Sequence, residues 1–149
     1  LWVTLLQLSA NILNEYYNAD ADSENKNRTI LTGGSGVVGP GMLSRRFTLM
    51  AALSCLAFLA SLTVILVAFV KPAPAALWIM ALAFLFAFFY STPPVRLESS
   101  CYGEVIVAFI AAFMLPAYAF ILQKGEAHRL LAMTGFPLAA LSLAMLLTF

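Results

Sequence analysis

Four stretches of the chain carry no charged side chain: residues 47–70, 72–95, 105–123 and 130–149, each between 19 and 24 residues long. A helix rises about 1.5 Å per residue, so about 20 apolar residues cross the hydrocarbon core of a bilayer. Each stretch is long enough. In lipid an unpaired backbone group costs several kcal/mol, and a helix pairs its own, so the sequence predicts spanning helices over 47–70, 75–90, 105–123 and 130–149. Residues 1–14 (LWVTLLQLSANILN) read as the end of a further span. The predicted fold is all-α, a multi-pass transmembrane helical bundle forming one partial domain over 1–149. Leu1 stands where a Met would begin a chain and Phe149 lies in an apolar run, so the chain is expected to be part of a longer membrane protein.

Composition agrees. The chain is 62% hydrophobic and 10% charged, against about 25% charged in a soluble domain. That excludes a soluble enzyme and a disordered chain. A net charge of +1 offers no dense basic patch for nucleic acid. Cys55 and Cys101 form no CxxC or Cys/His pattern, and Cys55 reads as a small packing residue. No basic segment precedes the first apolar run, so it does not read as a signal peptide.

The charges gather in the connections. Residues 15–46 form the long one, acidic and amide-rich first, then Gly-rich, then Arg45-Arg46. Residues 91–104 form a second, and 124–129 a short turn. By parity 15–46 and 91–104 share one side, with Lys26, Arg28, Arg45, Arg46 and Arg96 against Lys71, Lys124 and Arg129 on the other. The positive-inside rule puts the first set in the cytoplasm. Two polar loops then face one compartment.

The first holds a pattern. If the opening helix continues to about residue 22, Asn11, Asn14, Glu15, Asn18 and Asp22 fall at offsets of 0, 3, 4, 7 and 11, one helical face. A face of carboxylate and amide oxygens at a membrane boundary suits a hard cation such as Mg²⁺, which is commonly held by one or two carboxylates with substrate phosphates. The bland alternative is a helix end running into a solvated acidic loop.

The segment Asn14-Glu15-Tyr16-Tyr17-Asn18-Ala19-Asp20-Ala21-Asp22 resembles the first Asp-rich motif of the UbiA superfamily of intramembrane prenyltransferases, N-D-x-x-D-x-x-x-D. Asn25-Lys26-Asn27-Arg28-Thr29, then Gly33-Gly34-Ser35-Gly36-Val37, looks like the 1,4-dihydroxy-2-naphthoate polyprenyltransferase (menaquinone-pathway) branch. Tyr90-Ser91-Thr92-Pro93-Pro94-Val95-Arg96-Leu97, followed by Gly103-Glu104, is similar to the family's Y-[ST]-x-P-P-x-R-L…G-E loop. The resemblance covers essentially the whole chain, as helices 2 to 6 of a nine-helix fold.

The resemblance implies a Mg²⁺-dependent enzyme of the cell (inner) membrane that joins a polyprenyl diphosphate to an aromatic quinone precursor. Asn14, Glu15, Asn18 and Asp22 would be the metal cluster. Arg28, Tyr90 and Arg96 would hold diphosphate oxygens, and apolar side chains of the spans would line the prenyl channel. The chain departs from the pattern at Glu15 and Asn18, where the family has Asp, and at Glu98 and Cys101, where relatives often have Lys and Gly. The family's second Asp-rich motif follows helix 6, beyond residue 149, so the 149-residue chain alone is expected not to transfer prenyl groups. Two alternatives stay open: a non-catalytic homologue, fed by the departures, and a multi-pass transporter with the 11–22 stripe as an ion site.

Other signals are weaker. Gly34 to Gly39 fits G-x-G-x-x-G, but follows no predicted strand. Asn27-Arg28-Thr29 is a glycosylation sequon on the predicted cytoplasmic side. His128 reads as a solvated loop residue, Pro116 and Pro137 as packing residues, and the run Phe84 to Tyr90 as lipid-facing or interfacial aromatics.

Overall fold

The computed structural model describes residues 1–24, 35–38, 42–100 and 102–148. The fold is an all-α helical bundle of a membrane protein. Its helices are α1 (Trp2–Glu24), α2 (Arg45–Ile65, continued by a π turn at Leu66–Val70), α3 (Pro74–Ser91), α4 (Gly103–Phe109), a π turn at Ile110–Met114, α5 (Leu115–Lys124) and α6 (Arg129–Leu146). A 3₁₀ turn, Leu97–Ser99, precedes α4. Among the described residues, four continuous helical segments are long and apolar enough to cross a membrane: Arg45–Val70, Pro74–Ser91, Gly103–Lys124 and Arg129–Leu146. Among the described residues there is no strand, only one isolated bridge between Val38 and Leu43.

One boundary differs from the sequence expectation. The loop expected over 15–46 is helical in its first part, because α1 runs through the acidic segment to Glu24. Its polar residues fall on faces of the helix instead of breaking it. The chain divides into two compact units, Leu1–Thr63 with Ala87–Arg96, and Val64–Phe86 with Leu97–Phe149. Two of the three unit boundaries fall inside helices α2 and α3, and the third lies between Arg96 and Leu97.

Within the first unit, α1 and α2 pair antiparallel. Trp2, Leu6, Ser9 and Leu13 are buried at helical spacing on one face of α1. Thr48, Ala52 and Leu59 do the same on α2. Trp2 Nε1 donates to Thr63 Oγ1 at 2.8 Å at one end of the pair. Asp20 and Arg45 form an ion pair at the other. Eighteen residues separate the two ties on each helix, about 27 Å, so the helices run alongside one another over roughly a bilayer core. Hydroxyls inside the helices bond back to the preceding turn, as Ser9 Oγ to Leu5 O (2.7 Å) and Thr63 Oγ1 to Leu59 O (2.8 Å), which satisfies them without water.

Both π turns have a local cause. Each is followed by one capping residue and then proline, Lys71-Pro72 and Leu115-Pro116, and the N–H before each proline bonds five residues back, to Leu66 O and Ile110 O. A proline ring clashes with the carbonyl four residues earlier, and a widened turn or a helix end relieves the clash. In the second unit Phe113 stacks between Phe109 and Phe136, with ring centroids 5.0 and 4.8 Å away. Gly135 makes room for this stack, since a Cβ there would collide with the Phe113 ring. His128 is exposed ahead of α6, as expected of a solvated loop residue, and it also caps that helix: its Nδ1 accepts from Leu130 N–H at 3.2 Å.

Candidate functional site

Continuation of α1 to Glu24 is what creates the polar face. At about 100° per residue, Asn14, Glu15, Asn18 and Asp22 fall within an arc of roughly 100°. That arc lies nearly opposite the Trp2, Leu6, Ser9 and Leu13 face that packs on α2. The two ties between α1 and α2 set a register in which a residue of α1 and its neighbour on α2 have numbers summing to about 65. Asn18 is then level with about Phe47 and Asn14 with about Ala51, the first apolar turns of a spanning helix. The polar face therefore sits at the edge of the apolar zone, where an unpaired amide or carboxylate is costly.

The structure pairs it with two other segments. Asn14 Nδ2 donates to Ser91 Oγ at 2.9 Å, at the last residue of α3. Arg96 Nη2 donates to Asn18 Oδ1 at 2.8 Å. The segment between these contacts is turned tightly: Arg96 N–H reaches Thr92 O at 3.2 Å, and Arg96 has φ 43°. That left-handed conformation costs a non-glycine residue about 1–2 kcal/mol, so the contact that aims Arg96 at α1 outweighs local strain. Ser91 and Thr92 are both buried, and Thr92 Oγ1 has no hydrogen-bond partner among the described residues.

Glu15 is held from a third place. Ser35 N–H donates to Oε1 at 2.7 Å and Ser35 Oγ–H to Oε2 at 2.8 Å. Gly36, at φ 70°, takes a conformation that favours glycine, and Val37 N–H reaches back to Ser35 Oγ at 3.2 Å. Asp20 lies off the polar face, toward α2. The Arg45 guanidinium hydrogen-bonds it and holds its carboxyl below the ordinary carboxylate range.

Of the expected site, Asn18 and Arg96 are thus joined through their side chains, Asn14 is bound to Ser91, and Glu15 lies on the same face of α1. Asp22 is half-buried on the last turn of α1, on the same face. Tyr90 is half-buried at the end of α3, next to the Ser91 that Asn14 binds. Arg28, and the sequence departure at Cys101, lie outside the described residues. Sequence reasoning missed Ser35 and Ser91 as partners of the stripe. Ser91 stood inside a quoted motif, and its place one residue after Tyr90 was the available signal. Ser35 also stood inside a quoted run, Gly33-Gly34-Ser35-Gly36-Val37, but nothing in that run pointed to Glu15, 20 positions earlier.

As a cation site the stripe offers only oxygens. Among the described residues no group of three or more His, Cys, Asp or Glu could hold a metal unaided. Two carboxylates, Glu15 and Asp22, with the amide oxygens of Asn14 and Asn18, fit the other common arrangement, in which a hard cation shares its ligands with phosphate. No family model, curated protein or solved structure matches the chain.

Proposed function

We propose that this protein is a UbiA-type prenyltransferase of the cell membrane. It would move a polyprenyl group from its diphosphate to an aromatic quinone precursor such as dihydroxynaphthoate, with the site loops facing the cytoplasm. The observation that carries this reading is the pairing of the two motif-bearing segments: Asn14 with Ser91 and Asn18 with Arg96, 77 and 78 positions apart. Two stretches singled out for their resemblance to one family's motifs meet at one edge of the apolar zone.

Glu15 and Asp22, with the amide oxygens of Asn14 and Asn18, would hold Mg²⁺. The ion, when bound, supplies the positive charge that offsets negative charge developing on the leaving diphosphate. Arg96 offers a planar fork of donors to phosphate oxygens, Tyr90 a hydroxyl and Arg28 a second guanidinium. Apolar side chains of the spans accommodate the prenyl chain.

The test is binding of farnesyl diphosphate to the protein in lipid nanodiscs, with Mg²⁺ and with EDTA. Binding should require Mg²⁺. Asp22→Ala and Arg96→Ala should each weaken it by about tenfold or more, the worth of one interaction with a charged group. Binding that ignores both substitutions refutes the assignment. A second reading, a non-catalytic homologue, is favoured by Asn18: an amide stands where the family has a carboxylate, and its oxygen already accepts from Arg96. Mg²⁺-dependent binding without transfer by the full-length protein would select it.

A further inference from the structure

Hydroxyls on the helices of this protein are satisfied locally. Thr48, Thr63 and Thr134 each donate to the carbonyl four residues back, at 3.2, 2.8 and 2.8 Å. Thr92 does not. It follows the last residue of α3 and is 7% exposed, and its enclosed Oγ1 has no hydrogen-bond partner among the described residues. A hydroxyl buried in this way gives up water and gains no bond in return. Valine has nearly the same shape and would avoid that cost. The neighbours of Thr92 narrow what would satisfy it. Ser91 Oγ accepts from Asn14, and Arg96 Nη2 donates to Asn18, so the residue lies between two contacts with the polar face of α1. Thr92 O accepts from Arg96 N–H at 3.2 Å, which puts the hydroxyl and the guanidinium on one turn. A guanidinium has only donors and a hydroxyl can donate, so a ligand shared by both is rich in acceptor oxygens. An oxyanion meets that description.

We propose that Thr92 is a ligand-binding residue: its hydroxyl is unpaired in the ligand-free protein and donates, beside Arg96, to a phosphate oxygen of the prenyl diphosphate. The proposal rests on the prenyltransferase reading above and adds a residue to the same site. Because Oγ1 is enclosed, the turn from Thr92 to Arg96 gives way as the ligand enters. That turn already carries the left-handed backbone of Arg96, at φ 43°. Its opening passes the guanidinium from the Asn18 amide oxygen to a charged acceptor, the stronger of the two bonds.

The experiment reads two quantities on Thr92→Val and Thr92→Ser in dodecyl maltoside, a detergent without phosphate. The first is the thermal unfolding midpoint of the ligand-free protein, which should rise in Thr92→Val because an unpaired hydroxyl is replaced by a methyl group. The second is the affinity for farnesyl diphosphate with Mg²⁺, which should fall about tenfold in Thr92→Val, the worth of one bond to a charged group. Thr92→Ser keeps the hydroxyl and should bind as the wild type does. A midpoint unchanged or lowered in Thr92→Val means that the hydroxyl already has a partner, and overturns the proposal. Equal loss of affinity in Thr92→Ser traces the effect to packing and also overturns it. If the wild type and Thr92→Val bind farnesyl diphosphate alike, the role of Thr92 falls and the prenyltransferase reading stands. If, in addition, phosphatidylglycerol stabilises the wild type more than Thr92→Val, the phosphate belongs to a lipid headgroup instead. If the wild type binds no farnesyl diphosphate, the prenyltransferase reading falls and takes the role of Thr92 with it.

Discussion

Asn18→Ala is the substitution that most directly tests how the polar face is held. It removes the acceptor of the 2.8 Å bond from Arg96 Nη2. A hydrogen bond to a charged group contributes about 1.5–3 kcal/mol in a soluble protein. Interhelical bonds measured in a membrane protein average about 0.6 kcal/mol and reach about 1.7, because the alternative state also finds partners. The Asn18–Arg96 pair has a charged donor but lies at the edge of the apolar zone, where water is near. The two limits together give a coupling of about 1–2 kcal/mol. The measurement is a double-mutant cycle of Asn18→Ala and Arg96→Ala, followed by unfolding in mixed micelles with increasing SDS. The cycle isolates the pair from whatever else either side chain touches. Additive substitutions, with coupling below about 0.3 kcal/mol, would refute the argument that this bond aims Arg96 at α1.

The left-handed backbone at Arg96 adds an internal check. Arg96→Gly and Arg96→Ala delete the same side chain, but only glycine adopts φ 43° without cost. Relief of about 1–2 kcal/mol of strain is offset in part by glycine's greater freedom in the unfolded chain, about 0.4–1 kcal/mol. Arg96→Gly should therefore be more stable than Arg96→Ala by about 0.5–1 kcal/mol. A glycine variant no more stable than the alanine variant contradicts the observed conformation.

Trp2→Phe deletes the indole donor to Thr63 and should lower stability by about 1 kcal/mol in the same unfolding assay, since Thr63 Oγ1 keeps its own bond to Leu59 O. Gly135→Ala drives a methyl group into the Phe113 ring and should cost about 1–3 kcal/mol, with a smaller loss in a Phe113→Leu background where the ring is gone. Asp20 titrates below the usual carboxylate range because Arg45 favours its ionised form. The pair therefore contributes above the ordinary carboxylate pKa, and the contribution disappears as pH falls through the lowered value. Carboxyl ¹³C NMR should show the Asp20 midpoint moving up toward 3.8 in Arg45→Gln. The difference should shrink at high salt, as for any exposed pair.

The spans were legible because absence of charge over about 20 residues has one physical solution in lipid, and periodicity does not need to be read at all. The polar stripe was legible on one condition, that α1 continue past Asn14. Local propensity argued against it, since Asn and Asp compete for the backbone in helix interiors. Pairing overrides that preference: the face toward α2 ends in the Asp20–Arg45 ion pair, and the opposite face is matched by Ser91, Arg96 and Ser35. None of these partners is adjacent in sequence, which is why the residues of the polar face could be named while their contacts could not. His128 shows the converse. A lone histidine in a loop gave no reason to expect a cap, because its use depends on the backbone geometry at Leu130.

The placement of these partners constrains how the first unit can assemble. The apolar face of α1 and the Asp20–Arg45 pair need only α2, so α1 and α2 form a unit that neighbouring sequence can complete. The opposite face is different. At the edge of the apolar zone Asn14 and Asn18 need partners from about 80 positions downstream, on the far side of two spans. Until α3 delivers Ser91 and Arg96, those two bonds cannot form. Residues 1–24 should therefore ride higher toward the interface in a chain that ends before α3 than in the complete protein. Cysteine accessibility gives the measure: with Cys55 and Cys101 replaced by serine, a cysteine at Asn14 should react readily with a charged maleimide in a truncation at residue 73. It should react at least about tenfold more slowly when α3 and the 91–96 segment are present. Equal reactivity would mean that α1 reaches its depth by pairing with α2 alone, and that its polar face is matched only afterwards.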